Sequence, residues 1–267
     1  MSIGKFIEFA KDAGADGVEF LDAFFYEPGV VRDHLPSEEI TQKLLEEAAT
    51  ALQLTGLQVH AIAITNDFNF NDNNRLRVER EKIDFGISLA RQFHAPVVRV
   101  FSGNPLSSDD VELVRYRTID ALKDFANQDT ILALENHGAV FASPSRLQSI
   151  LDPIDDSQVG LCFDIGNFLL ADVDPVYAAS ELPAPALIHV KDFQISNDGP
   201  YRSNAGKHYK GCRLGEGVVP LKETLDILLK KADDRDIAID LELECGEDGI
   251  DATLKGVAWL KEFLDKD

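Results

Sequence analysis

At 267 residues and 45% apolar side chains, the chain can bury a large core, and its length suits one α/β barrel, residues 1–267, better than two ordinary domains. Asp and Glu number 47 against 26 Lys and Arg, a formal charge of -21, which argues against nucleic acid or an anionic membrane as partner and leaves a small molecule as the expected ligand. No apolar run is long enough to span a bilayer, no signal-peptide pattern is present, and Cys162, Cys212 and Cys245 form neither a CxxC pair nor an even disulfide framework, so a cytoplasmic protein is expected.

Taken in order, Ile3, Phe6, Ile7 and Ala10 recur at helical spacing, and Gly14 is placed to end that helix. Gly17 to Phe20 reads as a short strand. Ser37 caps a helix over 37–54, with Glu38 and Glu39 where the macrodipole favours them. Leu57 to Ala63 is a strand that ends in a polar loop at Asn66 and Asp67. A long helix over 72–93, a strand from Pro96 to Phe101, and a helix over 109–127 capped within Ser107–Asp110 follow. The strand Ile131–Glu135 precedes a helix begun by Ser143-Pro144, and the strand ending at Asp164 leads through Asp174-Pro175 to a short helix. After the strand ending at His189, residues 192–219 read as one long loop, the kind that is usually functional. A helix over 221–232, a strand running into Glu242 and a helix over 251–265 complete the chain.

Alternating helices and strands without a linker predict repeated βα units and a parallel sheet. A closed TIM-type (β/α) barrel fits best, with seven strands countable and the usual opening strand absent ahead of the first helix. The alternative, an open doubly wound sheet, lacks a Gly-rich phosphate turn after any strand.

Four of the apolar strands finish in a side chain able to bind a metal: Glu135, Asp164, His189 and Glu242. A strand buried on both faces should not end in a carboxylate unless something stabilises the charge. Taken singly, each has a plainer reading: a salt bridge for the glutamates, a turn with Gly166-Asn167 for Asp164, a core histidine for His189. Together they predict one divalent cation. Three carboxylates and one imidazole suit Mn²⁺, Mg²⁺ or Co²⁺ ahead of Zn²⁺. Glu244 points the same way as Glu242 and competes with it as ligand. Cys162 and Cys245 read as inert residues in or near the core.

Leu134-Glu135-Asn136-His137-Gly138, Phe163-Asp164-Ile165-Gly166-Asn167, His189-Val190-Lys191-Asp192, Gly215-Glu216-Gly217 and Leu241-Glu242-Leu243-Glu244 resemble the signatures of the sugar phosphate isomerase/epimerase superfamily, the xylose isomerase-like barrel group of ketose 3-epimerases, inosose dehydratases and hydroxypyruvate isomerases. Gly14-Ala15-Asp16-Gly17-Val18-Glu19 extends the resemblance to nearly the whole chain. It implies a manganese-type metal centre at Glu135, Asp164, His189 and Glu242, with the two glutamates as the acid–base pair. Two positions depart: Asn167 stands where epimerases often carry His, and no Arg follows His189 closely, so Arg202, Lys207, Lys210 or Arg213 is the substitute.

The expected function is a divalent-metal-dependent isomerase or epimerase of a sugar or sugar phosphate. Glu135 or Glu242 removes the proton next to a carbonyl and the other returns one through a metal-stabilised ene-diolate. The alternative is a metal-dependent lyase or dehydratase on a keto-sugar or inosose, using the same site. Lys191 is expected either to stabilise the enediolate oxygen or to pair with a carboxylate. His137 either orients Glu135 or touches substrate, and His60, Asn167 and Arg213 are the further substrate-binding candidates. A nucleic-acid phosphodiesterase on this barrel would need many more than six His and a basic face. A homo-oligomer is compatible with the sequence.

Overall fold

The computed structural model describes residues 1–27, 29–105, 108–126, 129–154, 157–233, 235–245 and 249–265. The chain divides into two compact units, Met1–Leu134 with Ile154–Val159, and Glu135–Pro153 with Gly160–Asp267.

In the first unit the strands β1 (Gly17–Leu21), β2 (Gln58–Ala63), β3 (Val97–Val100) and β4 (Ile131–Glu135, its last residue belonging to the second unit) pair in that order, each parallel to the next. Register sets Val18 beside Val59, Ile62 beside Val98, and Val98 beside Leu132. Their side chains are buried, as expected for parallel strands covered on both faces. The start of β5 (Val159–Asp164) joins this unit beside β4, where Leu132 N–H donates to Gln158 O at 2.8 Å.

The helices arise where the caps predict. Ser37 accepts from Ile40 N ahead of Glu38–Thr55, and left-handed Gly56 (φ 69°) closes that helix. Asp72 caps Asn73–Phe93. Within that helix a Cβ on Gly86 would stand 2.5 Å from Ile64 Cγ1, so glycine permits the close approach of helix to sheet. The helix Ser108–Phe125 matches the expected one, while the cap sought at Ser107 lies outside the described residues. Past β2, the Asn66 side chain bonds both Phe101 N–H and Phe101 O, at 2.8 and 2.7 Å. His60 sits on β2, half-buried, with its ring filling the space that a Cβ on Gly17 would take.

In the second unit β5, β6 (Leu187–Val190) and, later, β10 (Ala238–Leu241) pair in parallel, with β6 central. Seven parallel strands therefore occur among the described residues, as the sequence predicts. The segment read as one long loop differs. It contains an antiparallel sheet of β7 (Asp192–Ile195), β8 (Tyr201–Arg202) and β9 (His208–Cys212), ordered β7-β9-β8. Phe193 anchors it against Tyr201 and Tyr209, with ring centroids 5.1 and 6.5 Å apart. After β9, the Asp192 carboxylate folds the next turn by accepting from Gly215, Gly217 and Val219 N–H at 2.9 to 3.2 Å, and from Phe193 N–H at 2.8 Å. No described helix is long and apolar enough to cross a membrane.

Candidate functional site

Glu135, Asp164, His189, Lys191 and Glu242 all belong to the second unit. Glu135 is the last residue of β4, Asp164 the last of β5, His189 lies in β6, Lys191 follows β6 by one residue, and Glu242 follows β10. Register places His189 level with Asp164 on one side and Asp240 on the other. The two-residue strand period then carries His189, Lys191 and Glu242 onto one face.

The distances show which expected residues meet. His189 Nδ1 is 3.0 Å from Glu242 Oε1 and 3.9 Å from Glu135 Oε2. Lys191 Nζ stands 2.7 Å from both Asp164 Oδ2 and Glu242 Oε2, and 3.9 Å from Glu244 Oε1. A Cβ on Gly166 would come within 2.5 Å of Lys191 Cγ, so the bare glycine makes room for the lysine stem. Asp164 also caps the helix Ile165–Leu170 by accepting from Asn167 N–H at 2.9 Å, so the expected turn and the site share one carboxylate. Asn167 Nδ2 donates to Glu135 Oε1 at 2.9 Å. The Tyr201 hydroxyl donates to Glu244 Oε2.

Burial and neighbouring charge set the protonation of these groups. Burial pushes Asp164 up to about 6, against the pull of the Lys191 ammonium. Burial also opposes charge on Lys191, but Asp164 and Glu242 outweigh it and hold the ammonium well above the usual lysine range. Glu242 pays a desolvation cost too, yet Lys191 and His189 hold its carboxyl well below the usual range.

The donor set fits a divalent ion. Imidazole nitrogen and carboxylate oxygens at about 2.0–2.2 Å from one metal lie roughly 3 Å or a little more apart, the separation seen between His189 and Glu242. Asp164 supplies a further oxygen, which Lys191 engages in this structure. Glu135, Cys162 and His189 also present ligand-type atoms within 4.8 Å of one another.

Cys162 is fully buried in β5, as expected of a core residue. Asn136 was missed: its side chain accepts from Asp164 N–H at 2.7 Å and donates to Asp164 O at 2.8 Å. Of the other candidates, His137 precedes the short helix Gly138–Phe141 and its backbone N–H returns to Glu135 O at 2.9 Å. His60 belongs to the first unit. Arg213 lies off the carboxylate cluster, with Nη2 2.6 Å from Asp251 Oδ2. It lines a cavity of about 340 Å³ whose wall also includes Lys210, Cys212, Glu216, Glu244 and Cys245.

Comparison with known proteins places the fold. The family model described as xylose isomerase-like TIM barrel matches residues 7–263. No curated protein matches the chain. Among solved structures, the chain is similar to the probable 3-DHS dehydratase AsbF involved in petrobactin synthesis from Bacillus anthracis, with 20% identity, 98% of this chain and 94% of that one covered, and a TM-score of 0.72. It is similar to a xylose isomerase-like TIM barrel protein from Mycobacterium smegmatis in complex with magnesium, at 18% identity, 98% and 87% coverage, and a TM-score of 0.70. It is also similar to 3-keto-D-glucoside 4-epimerase, YcjR, from E. coli in its apo form, at 16% identity, 98% and 94% coverage, and a TM-score of 0.69. At these identities the likeness is one of fold.

Proposed function

Because the chain belongs to the xylose isomerase-like TIM barrel family, we propose that it is a divalent-metal-dependent isomerase or epimerase acting on a sugar or sugar phosphate. The observation that carries the reading is the convergence of Glu135, His189 and Glu242 about His189 Nδ1, at 3.0 and 3.9 Å, with Asp164 joined to Glu242 through Lys191. Glu135, Asp164, His189 and Glu242 would hold a hard or borderline ion, Mn²⁺, Mg²⁺ or Co²⁺; the relative from Mycobacterium smegmatis is a magnesium complex. When bound, the ion supplies Lewis-acid polarisation of a carbonyl and its neighbouring hydroxyl.

The chain's own residues account for the proton movement. Glu242 is ionised at neutral pH because Lys191 and His189 face it, which suits it to take the proton next to the carbonyl. Glu135, oriented by the Asn167 amide, is placed to return one. The Lys191 ammonium answers negative charge as it develops on the substrate oxygen. The same ammonium suits a second reading, a lyase or dehydratase, because its charge can steady the negative charge on a departing oxygen.

Incubating the metal-loaded protein with free and phosphorylated keto-sugars in D₂O separates the two readings. Deuterium in recovered sugar supports the isomerase or epimerase, and loss of water supports the lyase. No exchange with any sugar, together with unchanged metal content in Glu135→Gln and Glu242→Gln, overturns both.

A further inference from the structure

The cavity beside Glu244 carries information about substrate charge that the carboxylate cluster does not. Its charged lining consists of Lys210, Arg213, Glu216 and Glu244, two cations against two carboxylates. Arg213 is already engaged, with Nη2 2.6 Å from Asp251 Oδ2 and Nη1 3.9 Å from Glu216 Oε1. A phosphate is held best by a guanidinium that can present both arms of its fork, and here the fork is turned to carboxylates. The helix Gly249–Leu264 reaches the cavity through Ala252, but its first turn carries Asp251, so a carboxylate already answers the positive end of the helix dipole. The wall connects to the carboxylate cluster through Glu244, whose other oxygen stands 3.9 Å from Lys191 Nζ.

We propose that this cavity receives the uncharged, hydroxyl-bearing part of a free sugar and selects against its phosphate ester. The proposal rests on the sugar-enzyme reading above and narrows its substrate class. A hydroxyl both donates and accepts, so it satisfies Glu216 or Glu244 as acceptors and Lys210 as donor without bringing charge. A phosphate offers only acceptors and negative charge, and it would meet the carboxylates of Glu216 and Glu244 with Lys210 as the ammonium in the described lining and the Arg213 guanidinium already turned to Asp251.

Cys245 lines the same cavity, which supplies a readout tied to location. The protein loaded with Mg²⁺ is treated with iodoacetamide in the presence of free ketohexoses (D-fructose, D-tagatose, D-psicose) or their phosphate esters, and Cys245 labelling is followed by peptide mass. Deuterium exchange into the same sugars is measured in parallel. The expected result is that at least one free ketohexose slows Cys245 labelling, that its ester needs at least tenfold higher concentration, and that Glu216→Gln narrows this gap by improving the ester. An ester protecting as well as the free sugar overturns the proposal. So does exchange into a free sugar without protection of Cys245, which leaves the sugar-enzyme reading standing. Absence of both exchange and protection with every compound overturns the proposal, and only with unchanged metal content in Glu135→Gln and Glu242→Gln does it remove that reading as well.

Discussion

The Asn136 side chain clasps the backbone of Asp164 at two points, accepting its N–H at 2.7 Å and donating to its carbonyl at 2.8 Å. The clasp ties the end of β4 to the end of β5 and fixes the height at which the Asp164 carboxylate leaves the strand. In the first unit, Asn66 grips Phe101 in the same two-point way after β2 and β3. Both asparagines are buried, so the bonds are made away from water.

Replacing Asn136 with Ala strands the buried Asp164 N–H, while the Asp164 carbonyl, as the helix N-cap, keeps its bond to the first turn. At about 1–3 kcal/mol for an unsatisfied group, Asn136→Ala should lower unfolding stability by roughly 1–3 kcal/mol. Urea denaturation with an unchanged m-value is the check, and a loss under 0.5 kcal/mol would contradict the assignment.

Lys191 Nζ stands 2.7 Å from a carboxylate oxygen of both Asp164 and Glu242. Removing one member of a buried pair costs about 3–5 kcal/mol, so Lys191→Met should melt well below the parent without metal. Added Mn²⁺ or Mg²⁺ restores a cation to the same carboxylates and should raise the melting temperature more in the variant than in the parent. Equal increments in the two proteins would mean that metal and lysine do not share these ligands.

Burial, aided by Asp192, pushes the Cys212 thiol up to about 12. A thiol raised in the folded state keeps its proton where the unfolded chain, at about 8.5, begins to lose it. Its contribution to stability is therefore whole below about pH 8.5 and declines as pH rises toward 12. Cys212 should resist iodoacetamide at pH 8 in the native protein and react once unfolded, and Cys212→Ala should show a shallower alkaline loss of stability. Rapid native labelling of Cys212 at pH 8 would refute the assignment.

Gly166 leaves space for the Lys191 stem. A Cβ there meets Lys191 Cγ at 2.5 Å and Phe193 Cε2 at 2.9 Å. Gly166→Ala gains about 1 kcal/mol in helix propensity, yet crowding of about 1–3 kcal/mol should prevail. The variant should be less stable in urea than the parent; a net gain in stability would show that lysine and phenylalanine move aside freely.

The sequence carried the scaffold wherever a local rule was strong. The helix Leu221–Ala232 appears at its expected bounds, and Glu135, Asp164, His189 and Glu242 stand at or beside their strand ends as the apolar runs required. Tertiary events were not legible. β7, β8 and β9 hide in a polar segment because, of their apolar side chains, only Phe193, Tyr209 and Cys212 pack fully inward. Spacing put Lys191 on the face of His189, but it could not say which carboxylates would reach the ammonium. The Asn136 clasp depends on Asp164, distant in sequence, and has no local signature.

One carboxylate, that of Asp192, gathers the amides of Gly215, Gly217 and Val219. The path of that turn is therefore written in main-chain bonds, to which the Arg213 and Glu216 side chains add only a 3.9 Å contact. A lineage could exchange those two residues freely and acquire new preferences without relearning how to fold the bend that displays them.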